Sequence, residues 1–555
     1  MYVAKNENYN DLLEEVLSDR GINNLDLFTN PSQDSVLHWS LLRNIKEAVS
    51  LVLKHIKNGT KIFIQVDSDL DGYTSSAILI NYLEEVFPDV VIVWRLQEGK
   101  EHGLILEEIP TDVGLVIAPD SGSSDYEIHK ALKDMGIDVL VLDHHEADKE
   151  SDDALVVNNQ LSPLYTNKNL SGAGVVLKFC EAVDEHLGIS LSRKYWDLAA
   201  IGNIADMMDM REPETRFYAV EGLKEIHNEF IKTLIEKQSF SMEGKMNFTA
   251  ISFNISPMIN AAIRIGTQEE KQEVMRALLG SEEEVYYKKK DINESLNDSL
   301  ARRLSNIRAK QVRMRDKFMG ILKDKIETNG LDTGKFIMVT HDNKEYKNIV
   351  GVAGNMIRED YKKPVLILSE NEGVLSGSGR GFGTDIVDFK KHLLNTGKFE
   401  MCQGHANAFG VKITKEKAKE LNDELMSDVT EGKKGEEVDF IIPFDSLYPH
   451  MISSVAELED SWCHGAEEPT FLITDINLPL VEVDYLGKYK NTMKFSVGEH
   501  TFIKKTIKKE EKEELNEYEN YLVDILCKFR FNKWNGNVEN QIVIDKLIIK
   551  DRYLF

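Results

Sequence analysis

Between residues 60 and about 210 the chain alternates short, almost wholly apolar runs with longer mixed stretches: "KIFIQV", a helical stretch, "VVIVW", "VGLVIAP", a second helical stretch, "IDVLVLD", "ALVVNN", and then helices. Apolar runs of this length without strict alternation fit strands buried on both faces, so the segment predicts a mainly parallel sheet covered by helices. Residues 268 to 328 are rich in Glu, Lys, Arg, Leu and Met and contain no proline, which predicts long helices. A second α/β segment runs from "GKFIMVT" through "KPVLILS" to about residue 428, and "TEGKKGEE", residues 430 to 437, reads as a linker. Beyond it, "TFLITDINL", "TMKFSV", "HTFIKKT" and "NQIVIDKLII" read as short strands with one charged helical interruption near 508 to 520, the pattern of a small β-barrel.

The first apolar run ends in "IQVDSDLDGYT", three aspartates at alternate positions followed by Gly72. An EF-hand loop opens the same way but needs a glutamate at its twelfth position, which counted from Asp67 is Ile78, and helices on both sides. A strand ending in carboxylates and turning into a helix capped at Thr74 or Ser75 is what remains, and in an α/β sheet ligands bind at such strand ends.

Three further segments of the same unit end in comparable chemistry. Asp120 follows a buried strand in "VIAPDSGSSD", Asp143, His144 and His145 follow the apolar run of "VLVLDHHEA", and Asp206 sits in the apolar helical stretch "AAIGNIADMMDM". One aspartate at a strand end is usually a helix cap. Four such sites, one with paired histidines, point to metal. Carboxylate oxygens with an imidazole and no thiolate suit Mn²⁺ or Mg²⁺. The carboxylates outnumber what one ion can neutralise, so two ions are expected, which makes phosphoester hydrolysis the reaction class.

At 555 residues the chain exceeds one hydrophobic core. Its formal charge of −27 excludes binding nucleic acid by overall basicity, although a local groove is compatible with an acidic exterior. Arg302, Arg303, Arg308, Lys310, Arg313, Arg315 and Lys317, on a predicted long helix, are candidates for such a groove, against the plainer reading of a solvated face. Four scattered cysteines offer no disulfide framework, no apolar run reaches membrane-spanning length, and the start of the chain lacks a secretory pattern, so a reduced, cytoplasmic protein without membrane contact is expected.

"DSDLDG", "DSGSS", "LDHH" and "IADM", in that order, resemble the four motifs of the DHH phosphoesterase superfamily. "WRLQEGKEHGL", "NLSGAGVVLKF", "PMINAAIRIG", "SGSGRGF", "CQGHANAFG", "CHGAEEPTF" and "FNKWNGNVENQIVID" extend the resemblance to RecJ-type single-strand exonucleases over roughly residues 10 to 550. The resemblance implies an α/β fold with a DHH catalytic domain at 1–267, including an amino-terminal helical extension, and connecting helices at 268–330. A smaller α/β DHHA1 substrate-binding domain at 331–430 and an OB-fold nucleic-acid-binding barrel at 438–555 complete it. It further implies Asp69, Asp71, Asp120, His144 and Asp206 as metal ligands, and Asp67, Asp143 and His145 as their catalytic support. Arg95, Arg264, Ser378, Arg380 and His405 would hold phosphates, arginine being favoured for its bidentate fork.

The expected activity is then metal-dependent 5′ to 3′ hydrolysis of single-stranded DNA in repair or recombination, by a monomer that works with a single-strand-binding protein or a helicase. Two alternatives stand beside it: a phosphodiesterase of short oligonucleotides or cyclic dinucleotides, which would not need the barrel, and a non-catalytic DNA-binding replication scaffold, which would tolerate loss of carboxylates. The chain departs from the family pattern at Gln65, where histidine is usual, and at Met258, Ile263 and Gln403, which replace an arginine and two glycines.

Overall fold

A computed structural model of the chain describes residues 2–97, 102–371, 373–383, 386–427, 436–515, 517–534 and 536–553. Five parallel strands form the catalytic sheet in the spatial order Ile92–Leu96, Ile62–Val66, Leu115–Pro119, Asp138–Asp143, Leu155–Asn158. The two central strands Ile62–Val66 and Leu115–Pro119 are buried at every position, which explains why their sequences lack alternation. From Ile62–Val66 the chain steps outward to Ile92–Leu96 and then back across to Leu115–Pro119, so the winding reverses between the two. Strand ends diverge at that point and leave a crevice, the usual ligand position in an open α/β sheet. Asp67 to Asp71 and Asp120 lie at its mouth.

The helices Leu70–Val86, Gly172–Leu187 and Trp196–Ala205 pack on this sheet in one continuous apolar core. Met258 and Ile263, two of the departures, are buried in that core, where apolar side chains serve packing. The predicted run of helices is interrupted: after Gln268–Leu278 a two-stranded hairpin, Glu284–Tyr287 with Ile292–Ser295, precedes the 33-residue helix Leu296–Thr328. The short "EVYY" stretch pairs as a strand, and Tyr287 stacks under the Arg302 guanidinium at 3.8 Å.

A second five-stranded sheet, ordered Phe399–His405, Ala408–Thr414, Val374–Arg380, Val365–Asn371, Ile337–His341, is antiparallel except for its last pair. Most of the expected linker, residues 430–435, lies outside the described residues, and Glu436 and Glu437 already belong to the strand Glu436–Pro443.

The carboxy-terminal unit is an eight-stranded mixed sheet, and it corrects one expectation. The amino-terminal residues, assigned above to an extension of the catalytic domain, join this sheet: Tyr2–Asn6 pairs in parallel with the strand Glu436–Pro443, Tyr2 opposite Glu436 and Asn6 opposite Phe440. The following helix Leu12–Asp19 buries Leu12, Val16 and Leu17 in the same core as Met451, Val455 and Trp462. Parallel pairing across such a sequence separation leaves no local pattern to read. Among the described residues no helix is long and apolar enough to cross a membrane.

Candidate active site

The helix Leu70–Val86 starts at Asp69, whose Oδ1 accepts from the Gly72 amide at 3.0 Å. Asp71, in its first turn, is clasped by the start of a second helix: Ser171 Oγ at 3.0 Å, Gly172 N at 2.8 Å and Ala173 N at 3.1 Å all donate to it. Two amides of a helix N-terminus thus hold this carboxylate. Asp120 sits at φ 63°, a left-handed conformation uncommon for a residue other than glycine, at the end of Leu115–Pro119. Asp206 closes the helix Trp196–Ala205.

These elements meet at His144. Its Nε2 lies 3.2 Å from Asp120 Oδ1, 3.5 Å from Asp206 Oδ2 and 3.9 Å from Asp71 Oδ2. Asp67, Asp69 and Asp120 form an adjoining group whose ligand atoms lie within 4.8 Å of one another. Asp67 Oδ1, Asp120 Oδ1, Asp206 Oδ2 and His144 Nε2 are buried without a hydrogen-bond partner. Buried, unpaired carboxylates cost several kcal/mol each, so this cluster is built for a positive guest. The protonation preferences agree. Burial, followed by the charge of Asp69, lifts Asp71 to about 6. Burial and then Asp71 and Asp69 push Asp120 and Asp206 well above the carboxylate range. Burial, then His145, holds His144 neutral, the state in which imidazole ligates metal.

Asp143 serves differently. It accepts from Ser123 N at 3.1 Å, His144 N at 2.7 Å and His145 Nδ1 at 2.8 Å, so it orients the two histidines. Burial opposes the His145 cation, but Asp143, with Asp206 and Asp67, outweighs it and raises His145 to about 10.

The second sheet reaches over this cluster. The His405 ring stacks on His145 with centroids 5.1 Å apart and stands 5.8 Å from His144, and Lys390 bridges the two units by donating to Glu146 at 2.6 Å and to the Gly404 carbonyl at 2.7 Å. Arg380 Nη1 donates to Ser378 Oγ and to the Gly379 carbonyl, each at 2.7 Å. Burial, then the charges of Arg264 and Arg358, lower Arg380 to about 10, which leaves it charged at neutral pH. Arg264 is close enough to Asp69, Arg308 and Arg380 to share their fields. Arg95 stands apart: it is exposed, and its Nη1 donates to the Glu108 carbonyl at 3.1 Å.

On the basic helix, Arg302 pairs with Glu294, Arg303 with Glu273 at 2.7 Å and Arg315 with Asp316 at 2.7 Å, while Arg308 donates to Gln311 Oε1 at 2.8 Å and lies close enough for its charge to act on Arg264. Gln403 is exposed beside Gly404, and Gln65 is buried with its amide on the Arg95 carbonyl.

Sequence reading missed His102. Its Nδ1 lies 2.8 Å from Asp67 Oδ2. The signal was present, because His102 lies in the "WRLQEGKEHGL" segment from which only Arg95 was singled out.

The segment that builds this switch-point crevice, residues 61–203, matches the DHH family, N-terminal domain, and residues 438–546 match the RecJ OB domain. A provisionally named SPbeta prophage-derived single-strand DNA-specific exonuclease, YorK, of Bacillus subtilis (strain 168) is 41% identical over 98% of this chain and 97% of its own length. The chain belongs to the RecJ-like family of single-strand DNA-specific exonucleases. The Single-stranded-DNA-specific exonuclease RecJ of the same bacterium is 26% identical over 93% of this chain and 64% of its own. The solved structure of RecJ in complex with Mn²⁺ from Thermus thermophilus superimposes with a TM-score of 0.73 at 19% identity, covering 100% of this chain and 80% of that one. The α/β architecture with a carboxy-terminal OB domain agrees with the expectation from sequence.

Proposed function

We propose that the chain hydrolyses single-stranded DNA from its 5′ end and releases nucleotides, serving repair or recombination. The observation that carries this reading is the meeting of four buried, unpartnered donor atoms, on Asp67, Asp120, Asp206 and His144, among carboxylates that strain against ionisation. The set of hard oxygens with one imidazole fits Mn²⁺ or Mg²⁺. Asp69, Asp71, Asp120, His144 and Asp206 would hold two such ions, with Asp67 beside them. When bound, the ions supply Lewis acidity and a nucleophilic water at neutral pH.

The chain's own groups do the rest. Asp143 keeps His145 protonated, and the imidazolium is the proton source for the leaving oxygen. Arg380, braced on Ser378 and flanked by Arg264, presents a charged fork to a phosphate. His405, laid on His145, brings the second sheet over the carboxylates and shields them from water. The carboxy-terminal unit guides the strand: Lys488 lies 5.6 Å from the exposed Tyr489 ring and Lys533 5.8 Å from Phe531, pairs suited to stacking and phosphate contact.

The names of the relatives support single-stranded DNA as substrate. The test is digestion of strands labelled at either end, with Mn²⁺ or with EDTA. The expected result is early release of the 5′ label, dependent on metal. Release from the 3′ end first, or equal cleavage in EDTA, would sink the reading.

A further inference from the structure

Asp67 is the carboxylate of the cluster held by a second imidazole, that of His102, which lies outside the four motifs. One oxygen, Oδ2, meets His102 Nδ1 at 2.8 Å, while the other, Oδ1, is buried and unpartnered, and the carboxylate groups with those of Asp69 and Asp120. A carboxylate pinned by one oxygen to an imidazole has its other oxygen fixed in direction, and this carboxylate stands beside those of Asp69 and Asp120. Partners of this kind orient metal-binding groups and govern affinity although they do not touch the ion.

The turn that delivers His102 is itself fastened. The Leu104 amide donates to Asp125 Oδ2 at 2.7 Å, and the Gln97 side-chain amide donates to the Gly103 carbonyl. Gly103 holds φ +86° against Asp125, where an added Cβ would fall 2.3 Å from Oδ2, so only glycine permits this approach. His102 itself is 59% exposed at its side chain, while Asp67 is 1% exposed. Burial of the ring therefore does not explain its position, and the contact with Asp67 does. Gln65, buried behind, gives its amide to the Arg95 carbonyl. His102 is then the imidazole on the Asp67 side of the cluster, as His144 is on the Asp206 side.

We propose that His102 is a positioning residue that orients Asp67 toward a divalent ion in the Asp67–Asp69–Asp120 group, so that the turn at 102–104 sets metal affinity. This rests on the metal-dependent reading above. The experiment is a Mn²⁺ titration of the metal-stripped full chain, followed calorimetrically and by electron paramagnetic resonance, for the parent, His102→Ala, His102→Asn, Asp67→Asn and the double variant His102→Ala with Asp67→Asn. Thermal unfolding in EDTA establishes folding for each, and His102→Asn carries the test should the alanine variant not fold.

The expected result is a Kd for Mn²⁺ raised about 10- to 100-fold by His102→Ala. His102→Asn, which still donates to a carboxylate, recovers part of the loss, and His102→Ala adds nothing in the Asp67→Asn background. An unchanged Kd in folded His102→Ala, or equal losses with and without the Asp67 carboxylate, overturns the inference while leaving metal dependence standing. A parent that binds no Mn²⁺ overturns the metal reading itself, and with it the role of His102.

Discussion

Gly172 opens the helix Gly172–Leu187 with its Cα facing the Asp120 side chain. A Cβ at this position would fall 2.3 Å from Asp120 Oδ1, 2.5 Å from its Cβ and 2.6 Å from its Cγ. Carbon atoms rest at about 3.5–4.0 Å, so Gly172→Ala demands a displacement of roughly 1 Å. Rotation of the Asp120 carboxylate cannot supply it, because the clash includes the aspartate Cβ. The backbone at φ 63° is already in a sparsely populated region, and on the other side the Gly172 amide is engaged with Asp71. The displacement therefore falls on Asp120 relative to His144, now 3.2 Å away. A misplacement of about 1 Å near the reacting groups costs about 100-fold in rate, equal to about 2.7 kcal/mol at 25 °C. Stability moves less: overpacking costs about 1–3 kcal/mol, and alanine recovers up to about 1 kcal/mol over glycine in a helix. The assay is kcat on 5′-labelled single strands at saturating Mn²⁺, with unfolding followed in parallel. A kcat equal to the parent's would refute the argument that Asp120 has no room to move.

Asp71→Ala and Asp206→Ala should each abolish cleavage while the fold persists, read by circular dichroism beside the nuclease assay; near-parent activity in either excludes their role as ligands. Arg380→Ala should raise KM for single strands and lower kcat, since a phosphate that loses its fork loses alignment, and parent kinetics would contradict the phosphate role. Asp71 is lifted from 3.8 to about 6, so between about pH 4 and 6 this carboxyl binds more protons in the native metal-free chain than in the unfolded one, and its contribution to stability falls as pH rises through that window. Thermal unfolding in EDTA should show the fall and added Mn²⁺, which needs the ionised carboxylate, should reverse it; a Tm that rises with pH in EDTA would contradict this. A variant trimmed to residues 23–436 should lose degradation of long strands yet still hydrolyse a dinucleotide, measured as product length against time at matched salt. Equal digestion of long strands by a folded trimmed protein would remove the guiding role of the barrel.

The catalytic sheet was legible because each of its strands is short, mostly apolar, and either ends in a polar residue or is followed at once by one, so the periodicity and the chemistry change at the same place. The aspartates and histidines of the four motifs could be read for the same reason: they sit at strand ends or helix caps, where local sequence dictates local geometry. What could not be read depends on distant partners. The pairing of Tyr2–Asn6 with Glu436–Pro443 has no local signature. The approach of His102 to Asp67 depends on how a turn folds back after its strand. The hairpin at 284–295 was hidden by the helix-forming composition around it. The aromatic residues of the carboxy-terminal sheet divide as its core requires, with Phe471, Phe495, Phe502 and Phe529 buried and Tyr489 at the surface.

The union of Tyr2–Asn6 with Glu436–Pro443 sets a timetable for synthesis. The first strand leaves the ribosome 436 minus 2, or 434, positions before its partner. At about 5–20 residues per second it waits roughly 20 to 90 s with its hydrogen-bonding edge open, while the whole catalytic unit emerges and folds. Its apolar companions Leu12, Val16 and Leu17 wait with it. The pairing of Tyr2–Asn6 with Glu436–Pro443 thus forms only after every strand of the catalytic sheet has left the ribosome.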